Sequence, residues 1–310
     1  MHMADALLSP AVGATFWLAS GTVLARCAHT LKTSDRDDLV PLMGVLGAFV
    51  FAAQMINVTI PGTGSSGHLG GGLLLSILLG PQAAFLVIAS VLTVQALFFA
   101  DGGLLALGAN LFNMGLMSCL VVYPLIYRPL MRGAGTLPSK RRIGWVAMLT
   151  SVIGLQLGAL GVVMQTYWSG ISSLPVGTFM WLMQPIHLAI GIGEGLATAA
   201  LIVFVRQARP DLLAANASAA PSASSPFVLG VGGLAMLMAG VLSWFASSKP
   251  DGLEWSIVHT TDVAAAVAEA PAWPAVDADA SLAGVVGGTV TLALVLVVGY
   301  WLRRRKSPLQ

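Results

Sequence analysis

Charge is the scarcest thing in this 310-residue chain: Asp, Glu, Lys and Arg together make up 9% of it, against about 25% in ordinary soluble domains. So little charge excludes a solvated globular domain and leaves no basic surface for nucleic acid. Cysteine is nearly absent as well. Cys27 and Cys119 are the only two, and both fall in or at the end of apolar runs, which excludes a disulfide framework and a thiolate metal cluster. No basic n-region precedes the first apolar run, so that run is read as a retained segment and not as a cleaved signal peptide. There is no HExxH motif, and no phosphate-binding loop with its lysine and Ser/Thr. An ATPase is therefore excluded, and a metalloenzyme would have to draw its base from Asp5 or Asp101. With five histidines in the whole chain, each one is informative.

Apolar residues fill the space left by charge, at 56% of the sequence and a mean hydropathy of +0.85. Several near-continuous apolar runs approach the roughly 20 residues that cross a bilayer as helix, and they lack the weak alternation of barrel strands. The fold class expected is an all-α polytopic membrane protein. Spans are expected at 9–28, 39–57, 69–80, 82–100, 103–127, 143–166, 180–205, 227–247 and 284–302, the third short, glycine-rich and tilted or broken. With the N-terminus outside and the C-terminus cytoplasmic, fourteen of the fifteen Lys and Arg residues fall inside, only Lys249 outside, a strong positive-inside bias. Residues 210–226, rich in Ala, Ser and Pro, read as a cytoplasmic linker between a seven-span body (1–209) and a two-span C-terminal hairpin (227–310). The hairpin carries an external Pro250-Asp251-Gly252-Leu253-Glu254 segment.

On that topology the first two residues and the loop containing His68 share the outer face. A free α-amine, the next amide nitrogen and the His2 imidazole can close fused five- and six-membered rings on one ion. Adding His68 gives an all-nitrogen set suited to the square-planar preference of Ni(II) or Cu(II), where Zn(II) would prefer a tetrahedron. Gly62-Thr63-Gly64-Ser65-Ser66-Gly67 matches G-x-G-x-x-G, but it follows an apolar span and not a strand. Its glycines are better read as a backbone flexible enough to bring His68 to a neighbour, with Gly70, Gly71 and Gly72 offering a small-residue packing face. Glu194 is the only acid inside an expected span, with His187 two turns earlier on the same face, and the pair reads as a polar contact between helices. Asp101 reads as a helix cap, and Asn110 and Asn113 as interhelical hydrogen-bond formers.

Met1-His2-Met3 with Asp5 and Leu8-Ser9-Pro10, the loop at 64–72, Leu79-Gly80-Pro81, Gln95 to Phe99, Asp101-Gly102-Gly103, Gly108-Ala109-Asn110 and Asn113-Met114-Gly115 stand together in order. Over residues 1–209 this resembles the substrate-capture permease of cobalt and nickel energy-coupling factor (ECF) transporters, the NikM/CbiM family. The PDGLE hairpin resembles the accessory subunit of such systems, fused here, a form more typical of nickel than of cobalt transporters. The resemblance implies a multi-pass protein of the bacterial cytoplasmic (inner) membrane without ATPase activity or prosthetic group. It would bind Ni(II), or Co(II) as the alternative, through Met1, His2 and His68. Asn57, Ser65, Ser66, Asp101 and Asn110 would support or pack around those ligands. Its implied partners are a transmembrane coupling protein and a pair of cytoplasmic ATPases that tip it in the lipid. Ala4, Asp5 and Ala6 depart from the common family pattern without touching a ligand. A purely structural membrane subunit is the remaining alternative.

Overall fold

The computed structural model describes residues 1–33, 39–133, 138–213, 225–260 and 280–304. Most of the linker expected at 210–226, part of the external segment after Thr260, and Arg36, Arg305 and Lys306 of the charge count lie outside the described residues.

The chain is a helical bundle. In order, its helices are α1 (Pro10–Thr33), α2 (Leu39–Gln54), α3 (Gly72–Leu79), α4 (Pro81–Phe98), α5 (Leu107–Met131), α6 (Lys140–Ser169), α7 (Val176–Ala208), α8 (Pro226–Gly240), α9 (Gly252–Thr260) and α10 (Ala280–Arg304). The stretch Leu111–Tyr127 of α5 is wound as a π-helix. Their ends follow local chemistry. Pro81 and Pro226 open α4 and α8, where the missing N–H costs nothing. Ser139, Ser225 and Asp251 cap α6, α8 and α9 by accepting hydrogen bonds from first-turn amides.

Among the described residues, α1, α4, α5, α6, α7 and residues 282–303 of α10 are long and apolar enough to cross a membrane, and α2 and α8 are shorter apolar helices. The expected third span is different. α3 has only eight residues, a rise of about 12 Å, well short of a ~30 Å hydrocarbon core. Irregular backbone at such depth must have its polar groups met by protein. Here the Gln54 side chain donates to the Gly70 carbonyl at 2.8 Å, Gln95 braces Gln54 at 2.8 Å, and Gly71 N–H donates to the Glu194 carboxylate at 3.2 Å. Glu194 thus joins α7 to the start of α3, the polar contact expected of it.

The C-terminal helices share the apolar core. Val228 and Ala235 of α8 and Val295 of α10 are buried in one cluster with Leu42 and Leu46 of α2 and Phe85 and Ile88 of α4. A two-stranded antiparallel ladder, β1 (Val58–Thr59) with β2 (Ser66–Gly67), rims the loop before α3.

Candidate metal centre

Four segments converge where the chain begins: residues 1–8, the loop after α2, the turn between α4 and α5, and the approach to α9. The first is pinned by its own backbone. Met3 N–H donates to Asn110 Oδ1 at 2.8 Å, and Asn110 Nδ2 returns a bond to the Met3 carbonyl at 3.1 Å. Gly103 N–H reaches the same carbonyl at 3.0 Å, and Asp5 Oδ1 accepts from Ala106 N–H at 2.9 Å. Gly102 makes the turn with φ +90°, a conformation that suits glycine. Met3, Leu7 and Leu8 are buried in a cluster that also takes Leu253 and Ile257 of α9. The C-terminal part of the chain therefore helps seat the N-terminal part.

So held, Met1 and His2 face two carboxylates and a second imidazole. The Met1 ammonium donates to Asp251 Oδ2 at 2.8 Å. His2 Nδ1 lies 2.8 Å from Asp101 Oδ1, and its Nε2 is buried without a hydrogen-bond partner. The His2 and His68 rings stack nearly parallel, with centroids 5.3 Å apart and an interplanar angle of 7°. Burial, with the adjacent His2 imidazole and the ammonium, pushes His68 down to about 4, so at neutral pH it is an uncharged nitrogen donor. Burial alone would raise Asp101 and Asp251. Their neighbours outweigh it, the adjacent His2 side chain and its hydrogen bond foremost for Asp101 and the Met1 ammonium for Asp251, and hold both below the ordinary carboxylate value.

The depressed value at His68 has a sign that can be checked. An unfolded His68 takes up its proton near 6.5 and the folded one near 4, so the stability it contributes is fully present above 6.5 and is lost as pH falls through that window. Thermal unfolding of the solubilised protein between pH 7.5 and 4.5 should show a smaller drop in melting temperature for His68→Gln than for wild type; identical slopes would remove His68 from the titration.

Next to this cluster lies a small cavity, partly open to solvent, lined by Met1, His68, His187, Glu194 and Asp251 among others. His187 Nδ1 lies 2.8 Å from its own helix's Met183 carbonyl, while His187 Nε2 and Glu194 Oε2 are buried without partners. No three His, Cys, Asp or Glu side chains come close enough together to hold a metal among the described residues.

Among the residues singled out in the sequence, Met1, His2, His68, Asp101 and Asn110 meet here. Asp101 is not the expected cap: the residue preceding the α5 helix is Ala106, with no side-chain cap bond, and the Asp101 carboxylate goes to His2. Asn113 does bridge helices, pairing with Gln165 of α6 at 2.7 and 3.0 Å. Ser65 and Ser66 are buried under residues 249–250: Ser66 N–H donates to the Pro250 carbonyl at 2.8 Å and Ser66 Oγ to the Lys249 carbonyl at 2.7 Å. The Asn57 carbonyl accepts from Ser247 N–H at 2.7 Å. Asp251 had no assigned role in the sequence. Its one local signal is the Pro-Asp-Gly opening of a helix, which marks a cap and says nothing of Met1.

Residues 2–212 match the family model for the cobalt uptake substrate-specific transmembrane region, CbiM, and residues 225–278 match the PDGLE domain. The fused nickel transport protein NikMN of Rhodobacter capsulatus is 33% identical over 309 residues, 94% of this chain and 85% of that one. The cobalt transport protein CbiM of Sorangium cellulosum is 31% identical over 220 residues, covering 69% of this chain and 94% of that protein. A crystal structure of a transition metal transporter aligns with a TM-score of 0.57 at 29% identity, over 67% of this chain and 93% of that one. These relatives are named as transport proteins, and the matched residues 2–212 take in His2, His68, Asp101 and Asn110, while Asp251 falls in the PDGLE match. The chain belongs to the CbiM family of multi-pass metal-uptake membrane proteins, with a PDGLE domain joined to its C-terminal side.

Proposed function

We propose that this chain is the substrate-binding membrane component of an ATP-driven ECF transporter of the bacterial inner membrane, and that it captures Ni(II) through the Met1 amine, the His2 amide and imidazole, and the His68 imidazole. One observation carries the reading: a loop histidine lies face to face with His2 and lines a cavity together with Met1, so the three residues that carry the proposed nitrogen donors lie side by side. The absence of a side-chain ligand cluster among the described residues favours main-chain donors. The positive-inside count places this end outside, where the ion arrives.

Loading is a proton exchange. The ammonium and the His2 amide each give up a proton to solvent, and Nδ1, whose N–H faces Asp101 at 2.8 Å, must also lose that hydrogen, to solvent or to Nε2, before it can close the six-membered ring. An all-nitrogen planar set suits Ni(II), and the fused relative from Rhodobacter is named for nickel. Co(II) is the second reading, favoured by the matched family's description. With no phosphate-binding loop in the sequence, the energy for release comes from partner ATPases through a coupling protein.

Titration of the purified protein with Ni(II) and then Co(II), followed by ligand-field absorption, tests this directly. His68→Ala removes one of four donors and should weaken binding at least about 100-fold, more than the loss of an outer partner of a ligand. Binding unchanged by that substitution would refute the ligand set.

A further inference from the structure

We propose that Asp251, from the PDGLE segment, is a positioning residue of the metal site: its carboxylate keeps hold of the Met1 amine after the ion has bound. The proposal rests on Met1 being a ligand, as read above.

The geometry distinguishes the two carboxylates of the site. Nδ1 of His2 has a single in-plane bonding direction, now taken by its N–H to Asp101 at 2.8 Å, so an ion taking that nitrogen displaces both that hydrogen and Asp101. An ammonium has three N–H bonds. When one proton leaves and its electron pair goes to the metal, the two remaining N–H groups can still donate, and Asp251 Oδ2 already stands 2.8 Å from the nitrogen. Hydrogen bonding from a bound donor to a carboxylate aims the lone pair and raises the donor's basicity, as it does for metal-ligating histidines.

Asp251 is itself held rigidly. Its Oδ1 accepts from Leu253 and Glu254 N–H at 2.8 and 2.9 Å, and its backbone pairs in parallel with Ser66, two residues before His68. Gly252, next to it, packs so closely on His187 that a Cβ would come within 3.0 Å of the ring. The side-chain oxygen facing Met1 is therefore fixed by a helix cap, a strand pairing and a close contact, none of which involves the amine. The charge also fits. A divalent ion with one deprotonated amide leaves one net positive charge beside a carboxylate whose side chain is only 17% exposed, where that attraction is less screened than in bulk water.

Asp251→Asn isolates the effect, because Asn caps a helix as well as Asp does and differs by one charge and one acceptor. In the full-length protein, Ni(II) affinity is expected to fall about 10- to 100-fold, the usual cost of losing an outer partner of a ligand. The ligand-field absorption should move to longer wavelength as the amine becomes a weaker donor. Affinity within twofold of wild type, or weakened binding with an unmoved band, overturns the proposal, since a segment that merely covers the site would leave the donor strength alone. A melting curve of the metal-free variant checks its fold, and Asp251→Ser, another uncharged capping residue, carries the same test if Asn does not fold. If wild type itself shows no Ni(II) band, it is the ligand assignment that fails, and this proposal fails with it.

Discussion

A single residue placed before Met1 is expected to abolish Ni(II) binding and uptake. The extension turns a primary amine into a peptide amide, which binds a metal only after losing a far less acidic proton, and it removes the terminus of the five-membered chelate ring. The only amine nearby is then that of the added residue, which reaches the ion only through a second deprotonated amide, that of Met1, and only if the site has room for the extra residue. The amine already sits in a closed setting, with the Met1 side chain only 9% exposed and its methyl against Gly158 of α6. The new residue would also take the part-buried Asp251 carboxylate away from its cation, an unfavourable change. Metal uptake by cells that also carry the coupling protein and ATPases, together with Ni(II) titration of the purified variant, gives the measurement. An extended protein, verified by mass, that still binds and transports Ni(II) normally would sink the role of the amine.

Gly103→Ala should act almost as strongly without touching any proposed ligand. A Cβ on Gly103 would be driven into the Asp5 carboxylate and the Asp5 backbone nitrogen, the residue whose Oδ1 receives Ala106 N–H. Overpacking of this kind costs about 1–3 kcal/mol. Because Gly103 N–H also holds the Met3 carbonyl, relief of the clash displaces residues 1–3 from their neighbours. A misplacement near 1 Å in a preorganised site is worth about 100-fold, and that is the loss of Ni(II) affinity expected, accompanied by a lower melting temperature. Gly144→Ala, where a Cβ would meet nothing within 4 Å, is the control. Equal behaviour of the two variants would show that the anchoring of the first residues does not set affinity.

The long helices were legible because a run of apolar residues near the length of a bilayer has few alternatives. That Met1, His2 and His68 share a face was legible in the sequence, since two expected spans separate the first residues from the loop that carries His68. Asp101 was misread for a definite reason. Local pattern offers an acid before a helix as a cap, whereas its partner, His2, is 99 positions earlier. Asp251 was illegible as a partner of Met1 because the pairing that delivers it, Ser66 with Pro250 and Asp251, is made by backbone, and backbone bonds leave little trace in residue identity. The truncation of the third helix followed from Gly70, Gly71 and Gly72, but the Gln54 and Glu194 side chains that accommodate it could be found only in space.

The strand-like pairing of residues 249–251 with Ser66 has a further consequence. Pairing between segments of one covalent chain is governed by an effective concentration set by the tether, commonly millimolar for short connections. It is independent of how many copies the membrane holds. Were the PDGLE segment carried on a separate subunit, the fraction of permeases covered would follow the ratio in which the two proteins were made. Fusion makes that fraction a constant of the molecule, so that at low expression each copy is as fully covered at its N-terminal cluster as at high.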